Sequence, residues 1–263
     1  MKLTVNGVGI ACYLDGPEDA PVVTLSHALS AHSGMWAPQM PALAAYRVLR
    51  FDSRGHGASD IGAADSFETL ADDVAALWRA LGIERSHFVG LSMGGMIGQA
   101  VALKYPGMLR SLVLCDTTSR VPPEAGPVWD ERIALARAEG MAALVDATMG
   151  RWFTAPYLAE RADEAEPVRR MILGTDPRGF VDGCAVIRGL DNSARLGAIR
   201  APTLVIVGED DPGTPVAEAE RLRDGIPGAE LVVLEAAAHL SNWERPEAFN
   251  AALVGFLDRH EPN

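Results

Sequence analysis

Short apolar, β-branched runs alternate along this chain with longer amphipathic stretches. Val22-Val23-Thr24-Leu25, Arg47 to Phe51, Phe88 to Leu91, Leu112 to Cys115, Thr203 to Val207 and Leu231 to Leu234 each have the length and composition of a buried strand. Between and after them, Phe67 to Leu81, Met93 to Lys104 and Ala248 to Leu257 carry apolar residues at helical spacing. Strands separated by helices imply βαβ crossovers, hence an α/β fold with a mostly parallel central sheet and helices on both faces. The beginning differs. Leu3-Thr4-Val5 and Ile10 to Leu14 flank Asn6-Gly7, a pair suited to a tight hairpin, so an antiparallel ribbon opens the sheet.

From about Ser119 to Leu196 the strands disappear, and helical pieces remain, punctuated by Pro122, Pro123, Pro127, Pro156, Pro167 and Pro177. This stretch predicts a helical cap, residues 119–196, inserted into a core built from 1–118 and 197–263. With 263 residues the chain can bury a substantial core for one such domain.

Candidate chemistry concentrates where a strand meets a helix, at Gly90-Leu91-Ser92-Met93-Gly94-Gly95. A serine on a tight strand-to-helix turn has its Oγ pushed out above the sheet, and glycines two before and two after it leave room for the strained backbone. Ser92 is therefore the candidate nucleophile. In hydrolases built on such an elbow the chain order is serine, acid, histidine, which sets aside His27, His32, His56 and His87 as the base. His239 and His260 follow Ser92. His260 lies in the polar tail Asp258 to Asn263, whereas His239 sits in a loop beyond a strand end, where catalytic groups collect. The acid is expected after the strand Thr203 to Val207, in Gly208-Glu209-Asp210-Asp211-Pro212. Asp211 is the first choice because Pro212 fixes the turn after it, and Asp210 is the fallback. Asp116, also beyond a strand, is a rival read more simply as a cap for the next segment. Two backbone amides complete an acyl-transfer site: Met93 at the helix N-terminus and Leu29 in Ser26-His27-Ala28-Leu29-Ser30. His27 and His32 read as scaffolding of that loop.

These residues resemble the α/β-hydrolase superfamily and, within it, the 3-oxoadipate enol-lactonases. The likeness runs through Asn6-Gly7-Val8, Asp15 to Pro21, Met35-Trp36-Ala37-Pro38-Gln39, Asp52 to Asp60, the elbow, Cys184-Ala185-Val186-Ile187-Arg188, Gly208 to Pro215, and His239 to Phe249. It includes Trp129, Arg132 and Arg151-Trp152-Phe153 in the cap. The oxyanion loop departs from the usual Asn-Ser-Leu-Gly, reading His27-Ala28-Leu29-Ser30 with the leucine retained. The resemblance implies an α/β-hydrolase fold and a Ser92–His239–Asp211 triad with an acyl-enzyme. It implies opening of 3-oxoadipate enol-lactone in aromatic-compound catabolism by the β-ketoadipate pathway. Another lactonase or a carboxylesterase is the alternative. That substrate carries a free carboxylate, so Arg132 and Arg151 are its expected partners and Trp129 and Trp152 the walls beside them. A catalytically silent binding protein on the same fold is a different class, against which the complete serine, aspartate and histidine set argues.

Composition narrows the partners. Thirty-five acidic against 23 basic residues give a formal charge of −12, which disfavours nucleic acid and anionic membrane as partners and leaves a small-molecule lactone or ester. Cys12, Cys115 and Cys184 have no metal spacing and sit in apolar runs, so buried free thiols are expected, with no metal and no cofactor. Gly55-His56-Gly57 is turn chemistry, not a phosphate loop. Met1 to Thr4 begins a strand instead of an apolar signal, and a cytoplasmic location is expected.

Overall fold

A computed structural model describes residues 1–261; Pro262 and Asn263, the end of the polar tail, lie outside them. Among the described residues eight strands form one sheet: β1 (Lys2–Val5), β2 (Val8–Asp15), β3 (Val22–Ser26), β4 (Arg47–Phe51), β5 (Ser86–Leu91), β6 (Leu109–Cys115), β7 (Thr203–Gly208) and β8 (Glu230–Leu234). Their order is β1-β2-β4-β3-β5-β6-β7-β8. β2 pairs antiparallel with β1 and β4, and the strands from β4 to β8 run parallel. Asn6 and Gly7 take the left-handed backbone (φ 49° and 78°) that a two-residue hairpin requires, with Val5 opposite Val8. β5 and β7 are buried at every position. Successive strand side chains point to opposite faces, so both faces of the sheet are covered at its centre.

The strand order also places the site. From β3 the chain steps outward to β4, then returns to β5 on the other side of β3. Ser26 and Gly90 end up paired at the carboxyl ends of β3 and β5, where the outgoing loops diverge and leave a crevice. Helix α1 (Phe67–Ala80) is capped by Ser66 Oγ, which accepts the Thr69 N–H, and its Trp78 donates to Thr24 of β3 at 2.8 Å. Helix α2 (Met93–Lys104) is buried from Met93 to Ala102, as a helix at the centre of the layered structure must be.

Residues 119–196 carry α3 (Gly126–Glu139), α4 (Val145–Trp152), α5 (Ala155–Glu160), α6 (Ala162–Gly174) and α7 (Pro177–Arg188), and no strand of the sheet. The insert is pinched at its base. The Val121 N–H donates to the Leu190 carbonyl and the Asn192 N–H to that of Ser119, across an Arg120–Asp191 bridge. Pro123, Pro127, Pro156 and Pro177 start helical segments, as the punctuation suggested. Pro167 does not break its segment. It lies within α6, where it forfeits one bond, to the Asp163 carbonyl. Helix α8 (Val216–Gly225) links β7 to β8, and α9 (Ser241–Glu244) intervenes before α10 (Pro246–Arg259), which is longer than the apolar period indicated. His260 is not simply solvated: its ring packs on Phe256 at 4.5 Å.

One buried ion pair ties the loop after β4 to α1. Arg54 donates Nε to Asp73 Oδ2 at 2.7 Å and Nη2 to Oδ1 at 2.6 Å, with both side chains 7 % exposed. Removing one partner of such a pair strands a charge in a dry site. Asp73→Ala should lower unfolding free energy by about 3–5 kcal/mol in urea titrations. A loss below about 1 kcal/mol would mean that the pair behaves as a solvated surface bridge.

Candidate active site

Ser92 takes φ 55° and ψ −116°, a backbone conformation that L side chains rarely adopt. Close packing explains why glycines surround it. A Cβ on Gly94 would lie 2.1 Å from the Ser26 carbonyl oxygen, and one on Gly90 would lie 2.2 Å from that of Gly94. The serine itself is held from β6, its N–H donating to the Cys115 carbonyl at 2.9 Å and its carbonyl accepting the Thr117 hydroxyl at 2.7 Å. Ser92 remains partly exposed among buried neighbours, with its side chain unbonded at the head of α2.

Asp211 and His239 are brought together from the loops after β7 and β8. His239 Nδ1 lies 2.8 Å from Asp211 Oδ2, which leaves Nε2 facing away from the acid. Asp211 is also fixed by its own turn: the Gly213 and Thr214 N–H groups donate to Oδ1 at 2.8 and 3.1 Å, and the Thr214 hydroxyl donates to Oδ2 at 2.7 Å. Burial opposes ionisation of Asp211, but the His239 charge and these bonds outweigh it and hold the carboxyl below its usual range. Burial likewise works against a charged His239, and Asp211 overcomes it, so the imidazole pKa is raised above 6.5. Ser92 Oγ and His239 Nε2 are not hydrogen-bonded to each other. Such bonds are often long in unliganded sites and tighten in the substrate complex.

The fallback and the rival acid go elsewhere. Asp210 is exposed. Asp116 caps no neighbouring segment; its fully buried carboxyl accepts the Gly208 N–H at 2.8 Å and bonds the Ser241 hydroxyl at 2.6 Å. Burial, with the nearby Asp211 charge, pushes its pKa well above the carboxylate range.

Leu29 follows β3 and Met93 opens α2, and neither backbone N–H has a partner among the described residues. Both side chains reach the same point: a Cβ on Gly183 of α7 would lie 2.5 Å from Leu29 Cδ1 and 3.6 Å from Met93 Sδ. His27 is scaffolding, its Nδ1–H donating to the Ala28 carbonyl and its Nε2 accepting the Ser53 N–H. His32 Nδ1 accepts the Gly34 N–H and caps a short 3-10 helix. His56, buried beside His27, has its pKa pushed down to about 3, chiefly by burial.

This geometry agrees with what the chain is similar to. A family model described as the alpha/beta hydrolase fold matches residues 21–246. The chain belongs to the α/β hydrolase family. The 3-oxoadipate enol-lactonase 1 of Acinetobacter baylyi is 32% identical over 96% of this chain and 94% of that protein. A protein carrying the name carbamate hydrolase RutD, from Agrobacterium fabrum, is 34% identical over 91% of this chain and 94% of its own length. The crystal structure of an enol-lactonase from Burkholderia xenovorans superposes with a TM-score of 0.94 at 38% identity, covering 98% of this chain and all of the other.

In this α/β hydrolase the cap is fastened next to the histidine. The Leu240 N–H donates to the Trp152 carbonyl at 2.9 Å, and Glu244 accepts from Ala238 N–H, Thr154 N–H and the Thr154 hydroxyl. The Trp152 ring lies 6.3 Å from that of His239. Arg151 donates to the Thr148 hydroxyl at 3.2 Å, and its charge bears on His239. Arg132 lies over Trp129 at 4.6 Å and near Phe180 at 5.8 Å, its Nε buried without a partner. Burial, with the neighbouring Arg151 charge, brings the Arg132 pKa down to about 10. Neither guanidinium has a carboxylate partner among the described residues. Thr214, Ser241 and Glu244 were missed in the sequence. For Thr214 a signal existed, since Asp211-Pro212-Gly213-Thr214 is the pattern of an aspartate accepting from the turn it opens.

The raised pKa of His239 sets a direct expectation. NMR titration of its ring should show a midpoint above 6.5, and Asp211→Asn should move that midpoint down because the stabilising charge is gone. An Asp210→Asn variant should leave it in place. A midpoint that ignores Asp211→Asn would dissociate the acid from the histidine.

Proposed function

We propose that the protein is a serine hydrolase that opens the ring of a small lactone carrying a free carboxylate, with 3-oxoadipate enol-lactone as substrate and 3-oxoadipate as product. Ser92 Oγ attacks the ring carbonyl while His239 Nε2 takes its proton, and Asp211 stabilises the imidazolium. The Leu29 and Met93 amides hold the tetrahedral oxyanion. Collapse breaks the ring C–O bond, His239 returns the proton to the departing enol oxygen, and a ring-opened acyl-enzyme results. Water, deprotonated by His239, attacks that ester; the adduct expels Ser92 Oγ, which takes the proton back from His239, and the released enol tautomerises to 3-oxoadipate.

The pair of cap guanidiniums carries the substrate class. An arginine stripped of water and left without a counter-charge is costly, and a bound carboxylate relieves that cost with charge-assisted bonds. The enol-lactonase relatives support the same reading. Carbamate hydrolysis is the second reading, favoured by the RutD relatives of similar identity; it uses the same nucleophile on a different leaving group.

Turnover of the enol-lactone, a carbamate and a neutral aryl ester by the purified chain separates these readings. Ser92→Ala should cut kcat by about 10⁴- to 10⁶-fold and abolish labelling by an organophosphonate. At least one of Arg132→Ala and Arg151→Ala should raise KM for the enol-lactone by roughly ten- to hundredfold, while hydrolysis of the neutral ester stays near its starting rate. Equal effects on charged and neutral substrates in both variants would remove the carboxylate-binding role and leave a general esterase.

A further inference from the structure

Three consecutive residues at the end of β6 touch all three loops that carry the triad. Cys115 and Thr117 hold the two backbone groups of Ser92, through the Cys115 carbonyl at 2.9 Å and the Thr117 hydroxyl at 2.7 Å. Asp116 reaches the other two loops. Its Oδ1 accepts the N–H of Gly208, the last residue of β7 and the start of the turn to Asp211, at 2.8 Å. Its Oδ2 lies 2.6 Å from the hydroxyl of Ser241, two residues beyond His239. The Asp116 N–H also donates to the Ile206 carbonyl at 2.8 Å.

We propose that Asp116 is a positioning residue of the triad: it spans the acid loop and the histidine loop and holds Asp211 against His239. The proposal rests on the triad reading given above. Asp116 makes no hydrogen bond to Asp211 or His239, so its hold on them runs through the two loops. Its own backbone is left-handed, with φ 44°, a conformation retained by a non-glycine residue only where its surroundings over-determine it. Two long-range side-chain bonds and one backbone bond supply that determination. The charged groups that bear on it are Asp211 and His239. The carboxyl meets both partners as an acceptor: Oδ1 takes the Gly208 N–H and Oδ2 the Ser241 hydroxyl, while burial beside the Asp211 charge pushes its pKa well above the usual range.

Asparagine can make both bonds without a charge, alanine neither. Asp116→Ala should lower kcat for the aryl ester by about 10²-fold, the effect of a displacement near 1 Å, with KM close to that of the wild type. The low-field proton resonance of the His239–Asp211 bond should shift or broaden in the same variant. Asp116→Asn should recover most of both losses and keep the acid limb of the pH profile in place. Ser241→Ala, which removes one bond and keeps the carboxyl, should give a smaller loss of the same kind and serves if Asp116→Ala does not fold. An Asp116→Ala or Ser241→Ala protein with wild-type kcat and an unmoved resonance would overturn the proposal. So would an Asp116→Asn protein as impaired as alanine, because Asp116 would then act as a charge. Ser92→Ala and Asp211→Asn run alongside: if both are inactive while Asp116→Ala is not, only the brace fails, and if Ser92→Ala is active, the triad itself fails.

Discussion

Everything in the site is arranged around the left-handed backbone of Ser92. A non-glycine residue at φ 55° costs about 1–3 kcal/mol and persists only where neighbouring structure leaves no alternative. Here the alternatives are closed on both sides: Gly94 lies against the Ser26 carbonyl, and Cys115 and Thr117 bond the serine's own amide and carbonyl. The hydroxyl is thereby held clear of the sheet. Because β5 to β8 are parallel neighbours, their carboxyl ends share one edge, and each next loop delivers its group to that edge.

Charge is distributed with equal economy. Two buried carboxylates stand near His239, and their surroundings drive their pKa values apart: Asp211, with amide donors, a threonine hydroxyl and the imidazole, goes down, and Asp116 goes up. On the cap side the imbalance is reversed, with Arg132 and Arg151 desolvated and, among the described residues, without an acid partner. In a protein of net charge −12 these two cations stand apart from the abundant carboxylates.

The cap owes its position to contacts that hydrophobic periodicity does not report. Its neck is backbone pairing between residues 119–121 and 190–192, and its hold on the histidine loop is Glu244 bonding Ala238 and Thr154. At two further points the cap approaches the core through a glycine. Gly183 lies over Leu29 and Met93, and Gly179 packs against Gly55.

Local sequence determined the strands and helices of the core, because alternation of apolar runs with 3.6-residue periodicity is a property of neighbouring positions. It also located the elbow and the loops of Asp211 and His239, since turn chemistry and chain order are readable in one dimension. Element ends moved by a few residues: β6 begins at Leu109 where the apolar run suggested Leu112, and α6 runs through Pro167 because a helix held by tertiary packing tolerates one missing bond. The work of Asp116 was decided only in three dimensions. Its partners lie 92 and 125 residues away, and no local pattern separates a carboxyl that caps its own turn from one that spans two others. The same holds for Arg132 and Arg151: the sequence shows two arginines near two tryptophans, and only folding decides that, among the described residues, no carboxylate pairs with either.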